Sequence, residues 1–213
     1  MTLIVHIETP EGRHLRQSDP VLGQLIERIG EIRLSPSRSP YESLVGSIVS
    51  QMLSAKVAGV IKQRLTTLIG GSLTPESLLA HDEETLRSIG LSYAKIRSIR
   101  DLSRRTLSGE LDYEALGVLP EAEAVAMLTQ VKGIGKWTAE MFLIFSLGRP
   151  DVLSLGDAGL QRAAQWLYGR LNPGEPPGCL GRYADRWSPY RSIACLYLWR
   201  AIDDGYVDGR SEL

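Results

Sequence analysis

Apolar residues recur at three- and four-residue spacing along nearly the whole chain, and that period predicts helices. Val21, Leu22, Leu25, Ile26 and Ile29 form one such stripe, closed by Gly30. Pro36 and Pro40 cannot sit in a helix interior, so the SPSRSP segment reads as a loop. Residues 41–51 and 55–68 read as two amphipathic helices, the second stopped by Gly70 and Gly71. Thr74 and Pro75 then supply a cap and a first-position proline. Further helices are predicted over 83–88, from a Ser92 cap to about 107, and over 121–129. Another follows the glycines at 133 and 135, and three more cover 159–168, 181–187 and 189–203. Residues 1–17 depart from the pattern: Leu3, Val5 and Ile7 alternate weakly, as in one short strand or an extended arm. The Pro/Gly-rich stretch 171–179 reads as a surface loop. The expected fold is all-α, with about ten helices and short connections.

Composition narrows the partners only slightly. At 213 residues the chain is long enough for one sizeable core or two small lobes. A net charge of −1 and a pI near 6.3 carry no global signal for nucleic acid. Lys95, Arg97, Arg100, Arg104 and Arg105, set against Asp101, nevertheless make the helix after Ser92 locally basic. That run is either a phosphate-facing surface or a solvated face. No apolar run approaches the roughly 18 residues a membrane span needs, and the N-terminus lacks a signal-peptide core. The expectation is a cytoplasmic protein with no membrane partner. Cys179 and Cys195 lack metal-ligand or redox spacing and read as two buried thiols.

The candidate chemistry lies between Val131 and Asp157. Gly133-Ile134-Gly135 turns the chain sharply into an apolar helix, whose first amides and dipole can hold a phosphate. The carbonyls of Thr129, Val131 and Ile134, on the other side of the turn, can hold a monovalent cation such as Na+ or K+. A plain helical corner is the competing reading. Trp137, Met141, Ile144 and Phe145 form a stripe on the second helix, and Ala139, Phe142, Leu143 and Leu147 make it apolar nearly all round. Such a helix is expected to be buried. Asp157 falls at the N-cap of the next helix, where capping alone would explain it.

The stretch VKGIGKWTAEMF, its Gly/Pro loop and LGDAGLQRA resemble the helix–hairpin–helix DNA glycosylase superfamily, most closely its 3-methyladenine DNA glycosylase II (AlkA/Mag) branch. YESLVGSIVSQMLSAKVA, GLSYAKIRSIRDLS and RWSPYRSIACLYLW resemble further elements of that branch, so the resemblance spans roughly 18–203. It implies a monomer acting on duplex DNA with alkylated bases, near the nucleoid, with no required cofactor. With residues 1–17 set apart as an N-terminal arm, it implies a catalytic domain over 18–213. In that domain a middle lobe of about 36–118 and a second lobe of 18–35 plus 119–213 would flank a DNA-binding cleft.

By the same resemblance Asp157 is the catalytic carboxylate, stabilising the developing oxocarbenium ion and positioning water. Trp137, Met141 and Trp199 would line the base pocket. Gly133, Ile134, Gly135, Lys136 and Thr138 would grip the DNA backbone, beside the Gln51-Met52-Leu53 turn. From that turn Met52, or else Leu53, would enter the base stack, the competing reading being a core pair. Relatives that also nick the strand carry a Schiff-base lysine where this chain has Trp137, so the expected enzyme is monofunctional. Departures are Val131-Lys132-Gly133 where Leu-Pro-Gly is common, Ser154 for a frequent proline, and Met141 for a frequent aromatic. Two alternatives stand beside this reading: a bifunctional oxidised-base glycosylase/lyase, and a non-catalytic hairpin that only binds DNA.

Overall fold

The structure, a computed structural model, describes residues 2–170 and 174–210. Most of the 171–179 loop expected from sequence is described only from Gly174 onward, and the first part lies outside the described residues. Among the described residues there are thirteen α-helices and one two-stranded sheet. The chain divides into two compact units: residues 37–147, and residues 2–36 together with 148–210.

The unit built from both ends of the chain begins with β1 (Leu3–Val5), which pairs antiparallel with β2 (Ile32–Leu34), Leu3 facing Leu34 and Val5 facing Ile32. Between the strands run α1 (Pro10–Ser18) and α2 (Pro20–Ile29). Residues 2–17 therefore hold the short strand and a helix rather than an extended arm. Thr9 caps α1 and Pro10 occupies its first turn, but Leu15 is its one large buried side chain, too few to register as a helical period. The C-terminal part adds α11 (Ala158–Gly169), α12 (Leu180–Ala184) and, after a 3-10 turn over Asp185–Trp187, α13 (Arg191–Asp203). The Tyr197 hydroxyl on α13 reaches the carbonyls of Val5 and Gly30, fastening that helix to the strand and to the end of α2.

Asp19 organises this core. It is 1% exposed, and its side chain accepts from the amides of Val21 and Leu22, the Tyr168 hydroxyl at 2.7 Å and Trp187 Nε1 at 3.0 Å. One carboxylate thus caps α2 and ties it to α11 and to the 3-10 turn. Burial, followed by the charge of Asp19, holds the Tyr168 phenol protonated far above its usual range.

The central unit starts with α3 (Pro40–Ser50) and α4 (Ala55–Ile69), capped by Ser39 and Ser54. Short helices α5 (Pro75–Leu79) and α6 (Glu83–Ser88) lead to α7 (Tyr93–Ser108). The Thr74 capping box, Asp82 and Ser92 start them, and Gly70 and Gly109 stop α4 and α7 in the left-handed conformation. Then come α8 (Tyr113–Val118), which its pattern did not reveal, α9 (Glu121–Thr129) and α10 (Lys136–Met141). A π-helical segment, Phe142–Ser146, continues α10. Ile48, Val49, Ile96, Ile99, Leu102, Leu128, Leu143 and Ile144 are fully buried in this unit.

The expected lobe boundary near 118 is not where the units divide. The hairpin 129–136 and its helices belong with 37–118 because backbone and side-chain bonds hold the turn to α7 and to the end of α3. Removing the Asp19 carboxylate would strand two buried donors. Asp19→Ala is expected to cost about 3 kcal/mol or more in urea unfolding; a loss below about 1 kcal/mol would contradict this role.

Candidate active site

In the central unit the hairpin turn rests on α7. Gly133 has φ +81, and a Cβ there would lie 2.5 Å from Ser98 Oγ, so only glycine lets the backbone come this close. The Lys132 amide donates to Asp101 Oδ2 at 2.9 Å, and Gln51 Nε2 donates to the Gly133 carbonyl at 2.8 Å. Gly135, by contrast, has an ordinary extended φ, and open space surrounds the place its Cβ would take. It is the N-cap of α10 and supplies no side-chain cap. No side chain of the cap therefore takes up the first amides of α10. Lys136 lies 3.8 Å from the buried Glu140 carboxylate, which balances part of its charge. The Val131 carbonyl accepts from the Ile134 amide at 3.1 Å and keeps a second lone pair.

The helix after the turn is not buried all round. Ala139, Phe142, Leu143 and Ile144 are buried, but Trp137 is 55% exposed and Phe145 41%. The expected stripe is therefore split: Ile144 packs into the core, while Trp137 and Phe145 reach the surface. Trp137, Thr138 and Met141 line a cavity of about 730 Å³ with Gln51, Met52 and α3. Its α3 wall is Ser43, Gly46, Ser47 and Ser50, with Glu42 and Lys62 also at its edge. Sequence reading missed this wall, although small residues at three- and four-residue spacing on an otherwise apolar helix mark a face too small to fill a core.

Met52 is not a core residue. It is 100% exposed and holds φ +57, the one non-glycine residue among those described with positive φ. Left-handed backbone at a flexible apolar side chain is a strained arrangement that surrounding contacts must impose. The Gln51 bond to Gly133 supplies one such contact, and Lys95 Nζ on the Val49 carbonyl at 2.8 Å supplies another. Leu53 beside it is also at the surface. On α7, Lys95, Arg100 and Arg105 are spent internally, on Val49, on the His81 carbonyl, and on Asp101 with Glu110. Arg97 and Arg104 stay exposed.

Asp157 and Trp199 belong to the other unit. Asp157 caps α11, accepting from the Leu160 amide at 2.8 Å, and the same Oδ1 accepts from Trp199 Nε1 at 3.2 Å. The loop leading to it is stapled to α13. Arg191 grips Asp151 through Nε at 2.8 Å and Nη2 at 3.1 Å, and its amide donates to the same carboxylate. Ser192 bonds to both the amide and the carbonyl of Val152, and its own amide donates to Pro150. Burial alone would raise the Asp151 carboxyl; the bonds from Arg191 and Ser188 outweigh it and hold Asp151 below the usual carboxylate range. Arg191 and Ser192 lie in the RWSPYRS element, where sequence offered no reason for them.

A model described as HhH-GPD superfamily base excision DNA repair protein matches residues 45–176, which contain the hairpin, most of the cavity wall and Asp157. The chain belongs to the HhH-GPD superfamily. Within it, the chain is 34% identical to DNA-3-methyladenine glycosylase 1 of Schizosaccharomyces pombe over 88% of its own length and 84% of that protein. Its fold matches the crystal structure of a DNA-3-methyladenine glycosidase from Bacillus halodurans with a TM-score of 0.88 at 45% identity, covering 93% of this chain and 92% of that one. A Schizosaccharomyces pombe 3-methyladenine DNA glycosylase in complex with abasic DNA matches with a TM-score of 0.75 at 34% identity, over 92% and 97% of the two chains. The HhH-GPD assignment gives the hairpin of this chain a family, and the chain sits in the 3-methyladenine glycosylase branch.

The geometry at Gly133 makes a direct demand. Gly133→Ala must relieve both a forbidden φ and a clash with Ser98, so it is expected to cost about 2 kcal/mol in urea unfolding and to weaken duplex binding. An alanine variant as stable and as tight-binding as wild type would contradict the close packing of the turn.

Proposed function

We propose that this HhH-GPD protein is a monofunctional DNA glycosylase that hydrolyses the N-glycosidic bond of alkylated purines, 3-methyladenine and 7-methylguanine foremost, in duplex DNA during base excision repair. The observation that carries the reading is the carboxylate of Asp157, held by a backbone amide and an indole, in a chain alike over nearly its whole length to proteins named DNA-3-methyladenine glycosylase. Trp137, where a strand-nicking relative would need a lysine, favours hydrolysis over the bifunctional alternative.

The steps use residues already in place. The amides of α10 beyond Gly133-Ile134-Gly135, with Lys136 and the Thr138 hydroxyl, grip a backbone phosphate. The carbonyls of Thr129, Val131 and Ile134 would hold a monovalent cation on the other side of the turn. Met52 enters the stack where the damaged nucleotide leaves; its full exposure favours it over Leu53. The extruded base stacks on Trp137 beside Met141, where its positive charge meets a ring face. An alkylated purine departs as a neutral base because the electron pair of the broken bond discharges its ring. That removes the need for a general acid. The Asp157 carboxylate stabilises the cationic sugar and orients the water that adds to it; the added water gives up a proton to solvent, leaving an abasic site. Trp199 stands beside that carboxylate.

The decisive measurement is base release from methylated duplex DNA, run beside ethenoadenine, hypoxanthine and uracil substrates. Asp157→Asn is expected to slow release at least about a hundredfold while duplex affinity holds; release by the variant at the wild-type rate would overturn Asp157 as the catalytic group, and no release by the wild type itself would return the protein to a non-catalytic DNA-binding role. Backbone grip is tested separately. Arg97→Gln and Arg104→Gln are each expected to lower the slope of log affinity against log salt by about one. Arg100→Gln should leave the slope alone, since its guanidinium serves the His81 carbonyl. An equal slope in all three makes α7 a solvated face.

A further inference from the structure

The bond between Asp157 and Trp199 does more than capping requires. Any aspartate at a helix N-cap accepts from an amide of the first turn, as Asp157 does from Leu160. The terminal torsion of an aspartate is broad and roughly two-fold, so one such bond leaves the carboxylate plane loosely set. A second donor on the same oxygen, from another direction, fixes it. Here that donor is the Trp199 indole at 3.2 Å, from a helix distant in sequence.

Two other features serve this contact. At Gly159 a Cβ would sit 3.0 Å from Asp157 Oδ1, 3.3 Å from Ile202 Cδ1 and 3.9 Å from Trp199 Cδ1, so the absence of a side chain keeps the approach open. The helix bearing Trp199 is also registered against the loop bearing Asp157. Arg191 and Ser192, at the start of α13, hold Asp151 and Val152. Trp199 follows on the same rigid helix about 12 Å further along. The loop and the indole therefore share one frame.

We propose that Trp199 is a positioning residue: its indole N–H sets the plane of the Asp157 carboxylate, apart from anything its ring face offers a base. The proposal rests on Asp157 being the catalytic group. A carboxylate aimed in advance stabilises a developing cation without reorganising at the moment of reaction, and misaimed groups lose rate rather than affinity.

The test replaces Trp199 with 3-benzothienylalanine, which keeps the bicyclic ring and exchanges the N–H for sulfur, and with Trp199→Phe as an encoded companion. Single-turnover base release from methylated DNA is read against duplex affinity. Removing a hydrogen bond to a charged group predicts a rate about 10- to 100-fold lower in the sulfur analogue, with affinity unchanged. In an Asp157→Asn background the same replacement should have no further effect. A sulfur analogue that works at the wild-type rate, with Asp157→Asn inactive, overturns the positioning role and leaves the ring as a pocket wall. If Asp157→Asn itself keeps the wild-type rate, the functional reading fails first and this proposal with it.

Discussion

The close approach of the Gly133 backbone to Ser98 constrains the central unit more than any other contact. Because the turn presses on α7, its amide at Lys132 meets Asp101 and its carbonyl becomes available to Gln51. That last bond joins the turn that would grip phosphate to the turn that exposes Met52. The two are therefore set by one local packing event rather than by separate loops. The direction of α10 follows from the same turn, and with it the placement of Trp137 and Met141 along the cavity. A side chain at residue 133 would disturb all of these together.

The unit formed from the chain ends solves a parallel problem with side chains. Asp19 gathers α2, α11 and the 3-10 turn through one buried carboxylate whose donors are all supplied. Such a site is costly to break and gains little over an apolar core, but it permits only one arrangement of the helices that meet there. Asp151 does similar work near the surface for the loop before Asp157. Its partner Arg191 begins the helix that ends close to the carboxylate in question. Fold stability and site geometry are carried by the same helix, α13.

Much of the helical frame was legible in the sequence because caps and periods agree there. Residues 83–88 and 121–129 match their predicted bounds, and Asp157 takes the N-cap its surroundings demanded. Helix α1 was not legible, since a mostly polar helix with one buried leucine shows no period, although Thr9 and Pro10 carried the start signal. Trp137 and Phe145 misled in the opposite direction. Apolar side chains all round α10 predicted burial, whereas aromatic residues at the surface look like core in a one-dimensional pattern. The Arg191–Asp151 staple and the Gln51–Gly133 bond join residues far apart in the chain, and no local pattern encodes such pairs. Sequence leaves Met52 open between core and wedge, and its full exposure removes the core reading.

The near-neutral charge of the chain looks awkward for a protein that grips DNA, and the placement of its cations sharpens the difficulty before resolving it. Of the basic residues on α7, Lys95, Arg100 and Arg105 hold protein carbonyls and carboxylates, and Lys136 at the hairpin stands beside Glu140. On α7, Arg97 and Arg104 are the cations left exposed. A grip built from backbone amides at the start of α10 needs few, because partial charges and the helix dipole do the work at short range. It also avoids a penalty that a lysine-rich surface would impose. A base that is itself cationic would be repelled by a strongly positive site, whereas an aromatic face such as that of Trp137 would attract it. Low net charge is compatible with a DNA grip of that kind.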